Sequence, residues 1–293
     1  MRRALRWTLA LAVLLGALLA AGAYLATMPS GFKALARAAV ALSGGRLAIE
    51  GAEGALAGAF RIRHLRLDTA SQRIALDDLR VDWQPRALRH GLLDVDLLAA
   101  RALHVTVTQP DDAPLEAPAS LRLPLDVRVR TIDLARFART DLAGATLVVS
   151  SLRAALDGRG DRWRLTDATA VTPWAGVTAA LELGKDAPFA LTGRVAATRA
   201  EPMPLEARAD LAGTLLAPRF DVEAGAADMR FIARGEAAPF ARTPLVSLLI
   251  AGEGIDPRRF APDAPAADFA FSGVFEGRPG ARAFGSFSLA NRL

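Results

Sequence analysis

The chain has no cysteine, so disulfides, thiolate metal ligands and a cysteine nucleophile are all excluded. Aromatic residues make up only 6%, and Tyr24 is the single tyrosine. Few rings are therefore available for stacking on bases. Acidic residues are absent from the first 49 positions, and Glu50 is the first. The formal net charge of +5 would suit nucleic acid, but the arginines alternate with aspartates, as in "RLDTASQRIALDDLRVDW". Such a pattern makes a mixed-sign solvated face and no basic patch, which argues against a nucleic-acid partner.

Catalytic patterns are missing as well. His64, His90 and His104 are scattered among arginines without metal-ligand spacing and read as surface residues. No serine occupies a nucleophile elbow, and no glycine loop has phosphate-cradling spacing. Asp77-Asp78 and Asp111-Asp112 are neighbours, and neighbours in a strand point to opposite faces. Asp94 and Asp96 share a face, the wet one of an amphipathic strand. The "RGD" at 159–161 lies inside "DGRGDRW", where the glycines read as hairpin residues. Neither an enzyme site, a metal site nor a cofactor is expected.

What the chain does contain begins with Arg2, Arg3 and Arg6, followed by an uncharged stretch from Trp7 to Met28. As a helix those residues would extend about 33 Å at about 1.5 Å each, enough for a bilayer core of about 30 Å. Trp7, Leu11, Leu14, Leu15, Leu18, Leu19 and Tyr24 are the expected anchor residues. The leading arginines place residues 1–6 in the cytoplasm and the remainder across the membrane. A cleavable signal peptide is the alternative, with Ala21-Gly22-Ala23 as a small-x-small site. Residues 29–45 then read as an amphipathic helix capped by Ser30, with Phe32, Leu35, Ala39 and Leu42 on one face and Gly44-Gly45 as the stop.

From Arg46 the apolar period changes to two, and sixteen strands are expected between there and residue 290. They divide into a first segment over 46–108, a Pro/Ala loop over 109–120 and a second segment over 121–293. Pro85–His90 and Asp256–Phe260 read as proline-started single turns. The cleanest alternation is Ser120–Leu134, where Leu121, Leu123, Leu125, Val127 and Val129 share one side. Leu93, Val95, Leu97, Leu103, Val105 and Val107 form comparable rows. The phase slips between Ile62 and Leu65 and between Leu76 and Leu79, which predicts bulges.

Four blocks carry a resemblance: "LSGGRLAIEGAEGALAGAFRIRHLRL", "IALDDLRVDWQPRALRHGLLDVDLLAARALHVTV", "LPLDVRVRTIDLARF" and "RWRLTDATAVTPWAGVTAALEL". Trp83, Pro85, Leu88, Gly91 and Leu93 form the most specific unit. In content and order the chain resembles the N-terminal part of the TamB family, translocation and assembly module subunits of the AsmA-like superfamily. The resemblance implies a mainly β fold: an inner-membrane anchor, a short helix, and an elongated, curled, antiparallel-rich sheet shaped like a taco. It also implies a non-catalytic periplasmic bridge whose partners are phospholipid acyl chains, the inner membrane and, through a C-terminal region, the outer membrane. Members of that family are usually several times longer, so the resemblance implies a fragment. The eleven Leu and Val residues named above, from Leu93 to Val129, are then the candidate groove lining. A scaffold for outer-membrane protein assembly and a closed β-sandwich without cargo remain open, and periodicity alone favours the sandwich.

Overall fold

The structure is a computed structural model, and it describes residues 28–110, 116–201, 203–241, 243–259, 263–277 and 284–293. The anchor residues Trp7 to Tyr24 and the charges Arg2, Arg3 and Arg6 lie outside the described residues. Among the described residues no helix is long and apolar enough to cross a membrane. Among the described residues the chain is mainly β and forms two compact units: residues 28–110 with 127–148, and residues 116–126 with the described part of 149–293.

The first unit opens with α1 (Pro29–Leu42). Pro29 takes the first helical position, where its missing N–H costs nothing. Met28 occupies the cap without a side-chain bond. Ser30, expected as the cap, is therefore inside the helix. Ser43 N–H closes the C-terminus on Ala39 O and Val40 O, and the left-handed Gly44 and Gly45 turn the chain away. Phe32 and Ala36 are buried, and the Phe32 ring sits 5.2 Å from that of Phe60. Leu35, Ala39 and Leu42 are exposed, so the sheet-facing stripe is Phe32–Ala36 and not the expected one.

Next come β1 (Leu47–Gly54), β2 (Phe60–Asp68), β3 (Gln72–Trp83), β4 (Leu92–Ala100), β5 (Ala102–Val107) and β6 (Asp126–Thr140). The order is β1-β2-β3-β4-β6, with β5 antiparallel to β3 and parallel to β6. A parallel pair requires a crossover connection, and the chain between β5 and β6 is that connection. Its described part from residue 116 to Asp126 belongs to the second unit, and from Val127 the chain belongs to the first again. A proline-started 3-10 turn (Pro85–His90), closed by left-handed Gly91, joins β3 to β4. Trp83 Nε1 donates to Leu56 O in the β1–β2 hairpin, 2.8 Å away.

The slips read from the sequence are present in a different form. Register partners are Glu50↔His64 and Ala52↔Ile62, then His64↔Asp77 and Ile62↔Leu79. Pairing is therefore interrupted at Gly51, Arg63 and Asp78 without any change of register. Gly51 and Asp78 are left-handed, at φ 65° and 55°. Asp tolerates that region better than most side chains. A bulge with a true register shift occurs one strand further on, at Asp96: Asp82 pairs Leu97, but Trp83 pairs Val95.

The second unit holds the rest of β7 (Thr146–Asp157), followed by β8 (Arg162–Val171), β9 (Gly176–Gly184), β10 (Leu191–Arg199), β11 (Leu205–Gly213) and β12 (Pro218–Ala226). It continues with β13 (Met229–Ala237), β14 (Leu245–Ile255), β15 (Phe269–Glu276) and β16 (Phe284–Asn291). Each strand from β7 onward is antiparallel to the next. All sixteen expected strands are present, most with ends moved by one to three residues. The largest change is at β6, which starts at Asp126 and not at Ser120. Pro124 has no N–H for a ladder and restricts the residue before it, so Leu121, Leu123 and Leu125 precede the strand.

Candidate functional site

Directly paired residues in a sheet point to the same side, so the registers define faces. In the second unit three rows run from strand to strand. One is Leu165–Leu181–Gly193–Leu211–Phe220–Gly235–Leu248–Phe275–Gly285. Beside it runs Ala168–Ala179–Val195–Ala209–Val222–Ala233–Ile250–Gly273–Phe287. The third is Ala170–Val177–Ala197–Ala207–Ala224–Phe231–Gly252–Phe271–Leu289. Across nine strands, β8 to β16, these rows contain no charge and no hydrogen-bonding side chain.

Rings fill the gaps that glycine leaves. A Cβ on Gly252 would meet the Phe271 ring at 2.5 Å, and one on Gly273 would meet Phe275 at 2.8 Å. Phe271 in turn lies 6.2 Å from Phe231 and 5.9 Å from Phe287. Phe271 thus covers the bare backbone of the neighbouring β14, and Phe275 covers that of its own strand.

This face is half-buried over most of β8 to β15 and exposed at β16, where Phe287 and Leu289 lie, so it is not sealed. Among the described apolar residues of the second unit, only Phe189, Ala226, Ala233 and Ala267 are buried, and Phe189 is the one large side chain fully enclosed. A second sheet packed on the rows would bury their Leu, Ile and Phe side chains as a protein interior does. The opposite face is ionic: Arg194 Nε bonds Asp210 Oδ1 at 3.1 Å, and Arg234 Nε lies 2.9 Å from Asp221 Oδ2.

One end of the second unit is clasped. Lys185 is 3% exposed. Its Nζ donates to Gly158 O, lies 3.3 Å from Asp126 Oδ1, and stands 5.0 Å over the Trp163 ring. Trp163 Nε1 donates to Leu121 O, and Leu121 N–H donates to Lys185 O at 2.9 Å. Arg122 forks onto Asp186 and holds its carboxyl below the usual carboxylate range. The crossover is thereby stitched to the β7–β8 and β9–β10 hairpins.

The first unit has rows of its own. Ile49–Leu65–Leu76–Leu103–Phe137 and Leu47–Leu67–Ile74–Val105 run across it. Leu103 and Val105 therefore join other apolar residues, whereas Val107 faces Gln72. Because of the bulge at Asp96, Leu97 pairs Asp82, and Leu98 takes the apolar place opposite Val81. Val95 and Val129 are buried, and Leu93 and Val127 are half-buried. Leu121 sits in the clasp, while Leu123 is 54% exposed in the crossover.

Asp94 departs from the expectation of a wet face, being 3% exposed. Arg128 forks onto it at 3.0 and 2.5 Å, and Arg130 Nη2 reaches it at 2.9 Å. Arg130 also pairs with Asp96, and Gln84 Nε2 donates to Asp96 at 2.9 Å. His64 lies on the surface with its Nδ1 2.9 Å from Asp77 Oδ1. Among the described residues no cluster of three or more His, Asp or Glu is placed to hold a metal ion.

The candidates read from the sequence end at Val129, while the longest uninterrupted face begins at β8. Its signal was in plain view as alternating Ala, Val and Leu. Register alone shows that those alternations align across strands.

The family described as TamB, N-terminal domain, matches residues 18–221, more than half of the chain. No curated protein and no solved structure matches it.

Proposed function

The chain belongs to the TamB N-terminal domain family, and on that premise we propose that its apolar face carries phospholipid acyl chains between the inner and outer membranes of a Gram-negative envelope. Residues 7–28 hold the chain in the inner membrane in this reading, and the strands lie in the periplasm. The observation that carries it is the set of uncharged rows across β8 to β16, half-buried to exposed and with no second layer over them among the described residues.

The energetics are simple. Each CH₂ moved from membrane to water costs about 0.8 kcal/mol, so a sixteen-carbon chain costs on the order of 12 kcal/mol. A face of Ala, Val, Leu and Phe removes most of that cost. Because equivalent residues recur at each strand, about 4.8 Å apart, an acyl chain moves from one position to the next at nearly constant free energy. Polar headgroups remain in water, and the ionic opposite face keeps the sheet soluble. No bond is made or broken in this role.

The test is lipid extraction from purified protein, combined with photo-crosslinking from two faces. Ala209 and Val222 variants carrying a photoreactive side chain should capture phospholipid, and Asp210 variants should not. Delipidated protein that binds no phospholipid overturns the reading.

A further inference from the structure

We propose that α1 lies in the headgroup region of an anionic bilayer, with its Leu35–Leu42 side in the membrane interface and its Phe32–Ala36 side on the first unit's sheet. The inference rests on the anchor reading of residues 7–28 and adds a second, peripheral contact to it.

Three observations point to this occupant. The helix has two apolar sides, and only one is used. Phe32 and Ala36 are buried, but Leu42 is 87% exposed and Leu35 is also exposed, one helical stripe away. The residues that follow the leucines around the outward side, Ala38, Ala34 and Ala41, are exposed and small. Leaving two leucines in water forfeits the gain of burying them, roughly 1.5–3 kcal/mol for each full burial.

Charge selects the partner. Lys33 and Arg37, four residues apart on the other flank of the outward side, are exposed, and no acidic residue precedes Glu50. Glu53 on β1 is within electrostatic reach of Lys33, but the helix itself carries no acidic residue, and cations beside a membrane span are drawn to anionic headgroups. Position supplies the third argument. The apolar span read from the sequence, residues 7–28, runs directly into the helix that starts at Pro29, and the first charge after Arg6 is Lys33 inside that helix, so no linker separates the two. An interfacial helix has this make-up: an apolar side, cationic residues beside it, and burial about 5–10 Å into the headgroup boundary.

Because the chain has no cysteine, single cysteines report cleanly. The full-length protein carrying Leu35→Cys, Leu42→Cys or Ala38→Cys is labelled with an environment-sensitive fluorophore. It is reconstituted in phosphatidylethanolamine–phosphatidylglycerol vesicles that contain brominated lipid. Thr178→Cys, on an exposed strand position, is the aqueous control. Labels at 35 and 42 should be blue-shifted and quenched by the brominated lipid, and the label at 178 should be neither. Adding Leu35→Asn and Leu42→Asn should abolish quenching at 38 while circular dichroism stays unchanged.

If the vesicles float with the protein but the label at 42 behaves like that at 178, this inference fails and the anchor stands. A label that is blue-shifted yet not quenched by brominated lipid marks a protein partner and also overturns it. Protein that does not float with the vesicles overturns the anchor and this inference together.

Discussion

Phe220 on β12 lies against the bare backbone of Gly235 on β13, its register partner, so closely that a Cβ there would stand 2.6 Å from the ring's Cζ. The same Cβ would stand 2.5 Å from Ser247 O on β14. Any side chain at 235 must displace a ring on one flank and a backbone on the other. Gly235→Val should cost about 1–3 kcal/mol, the usual cost of overpacking. Chemical denaturation should show it. Phe220→Leu in the same background should return part of the loss, because the ring is what the added methyls strike.

Lys185 should prove necessary to hold the crossover in place. Lys185→Ala removes a charged donor from Gly158 O and Asp126 and empties the space over Trp163. A loss of about 2 kcal/mol is expected. Limited trypsin digestion should cut faster after Arg122, which the clasp holds beside Asp186. Unchanged cleavage there would mean that Leu121 and Arg122 hold the crossover without the lysine.

Asp94 should be the most sensitive carboxylate of the first unit. Its partner Arg128 keeps only 28% of its side chain exposed. Removing one side of such a pair leaves the other charge poorly solvated, so Asp94→Ala should cost about 3 kcal/mol. Replacing Asp94 and Arg128 together by Leu and Met should cost much less than the sum of the single changes. Additive losses would show that the pair is not coupled.

Acid should weaken the first unit through Asp78. The Arg61 guanidinium that bonds it, and then that of Arg80, hold this carboxyl below the usual range. A carboxyl whose folded pKa is depressed contributes stability above its unfolded pKa, about 3.9 for Asp, and loses it as pH falls through the folded value. Stability should therefore decline below about pH 4. Asp78→Asn should flatten that decline, and Asn suits the left-handed backbone there. Equal acid limbs in the two proteins would refute the assignment.

The strands were legible because a sheet with one apolar face imprints a period of two on the sequence. Sixteen alternations became sixteen strands, and the proline-started turn at Pro85 ended at Gly91 as glycine dictates. Alternation from Leu121 to Val129 predicts a strand from Ser120, but Pro124 carries no N–H for the ladder and β6 starts only at Asp126. The helix stripe was misjudged for another reason. Phe32, Leu35 and Leu42 are all apolar, and only the position of Phe60 decides which of them is covered. Asp94 was read as wet from its spacing, since nothing local announces that Arg128, 34 residues later, folds over it.

Taken alone, the sequence determined which residues alternate, where the strands turn, and that the chain is apolar without being aromatic. These are local properties, set by backbone sterics and by the side-chain period of each element. The tertiary structure decided the rest: that Gly235 lies under Phe220, that Leu98 rather than Leu97 continues a row, and that β8 to β16 align their rows into one uncharged face. Those facts depend on register between strands. Register is a relation between distant residues, which no single strand encodes by itself.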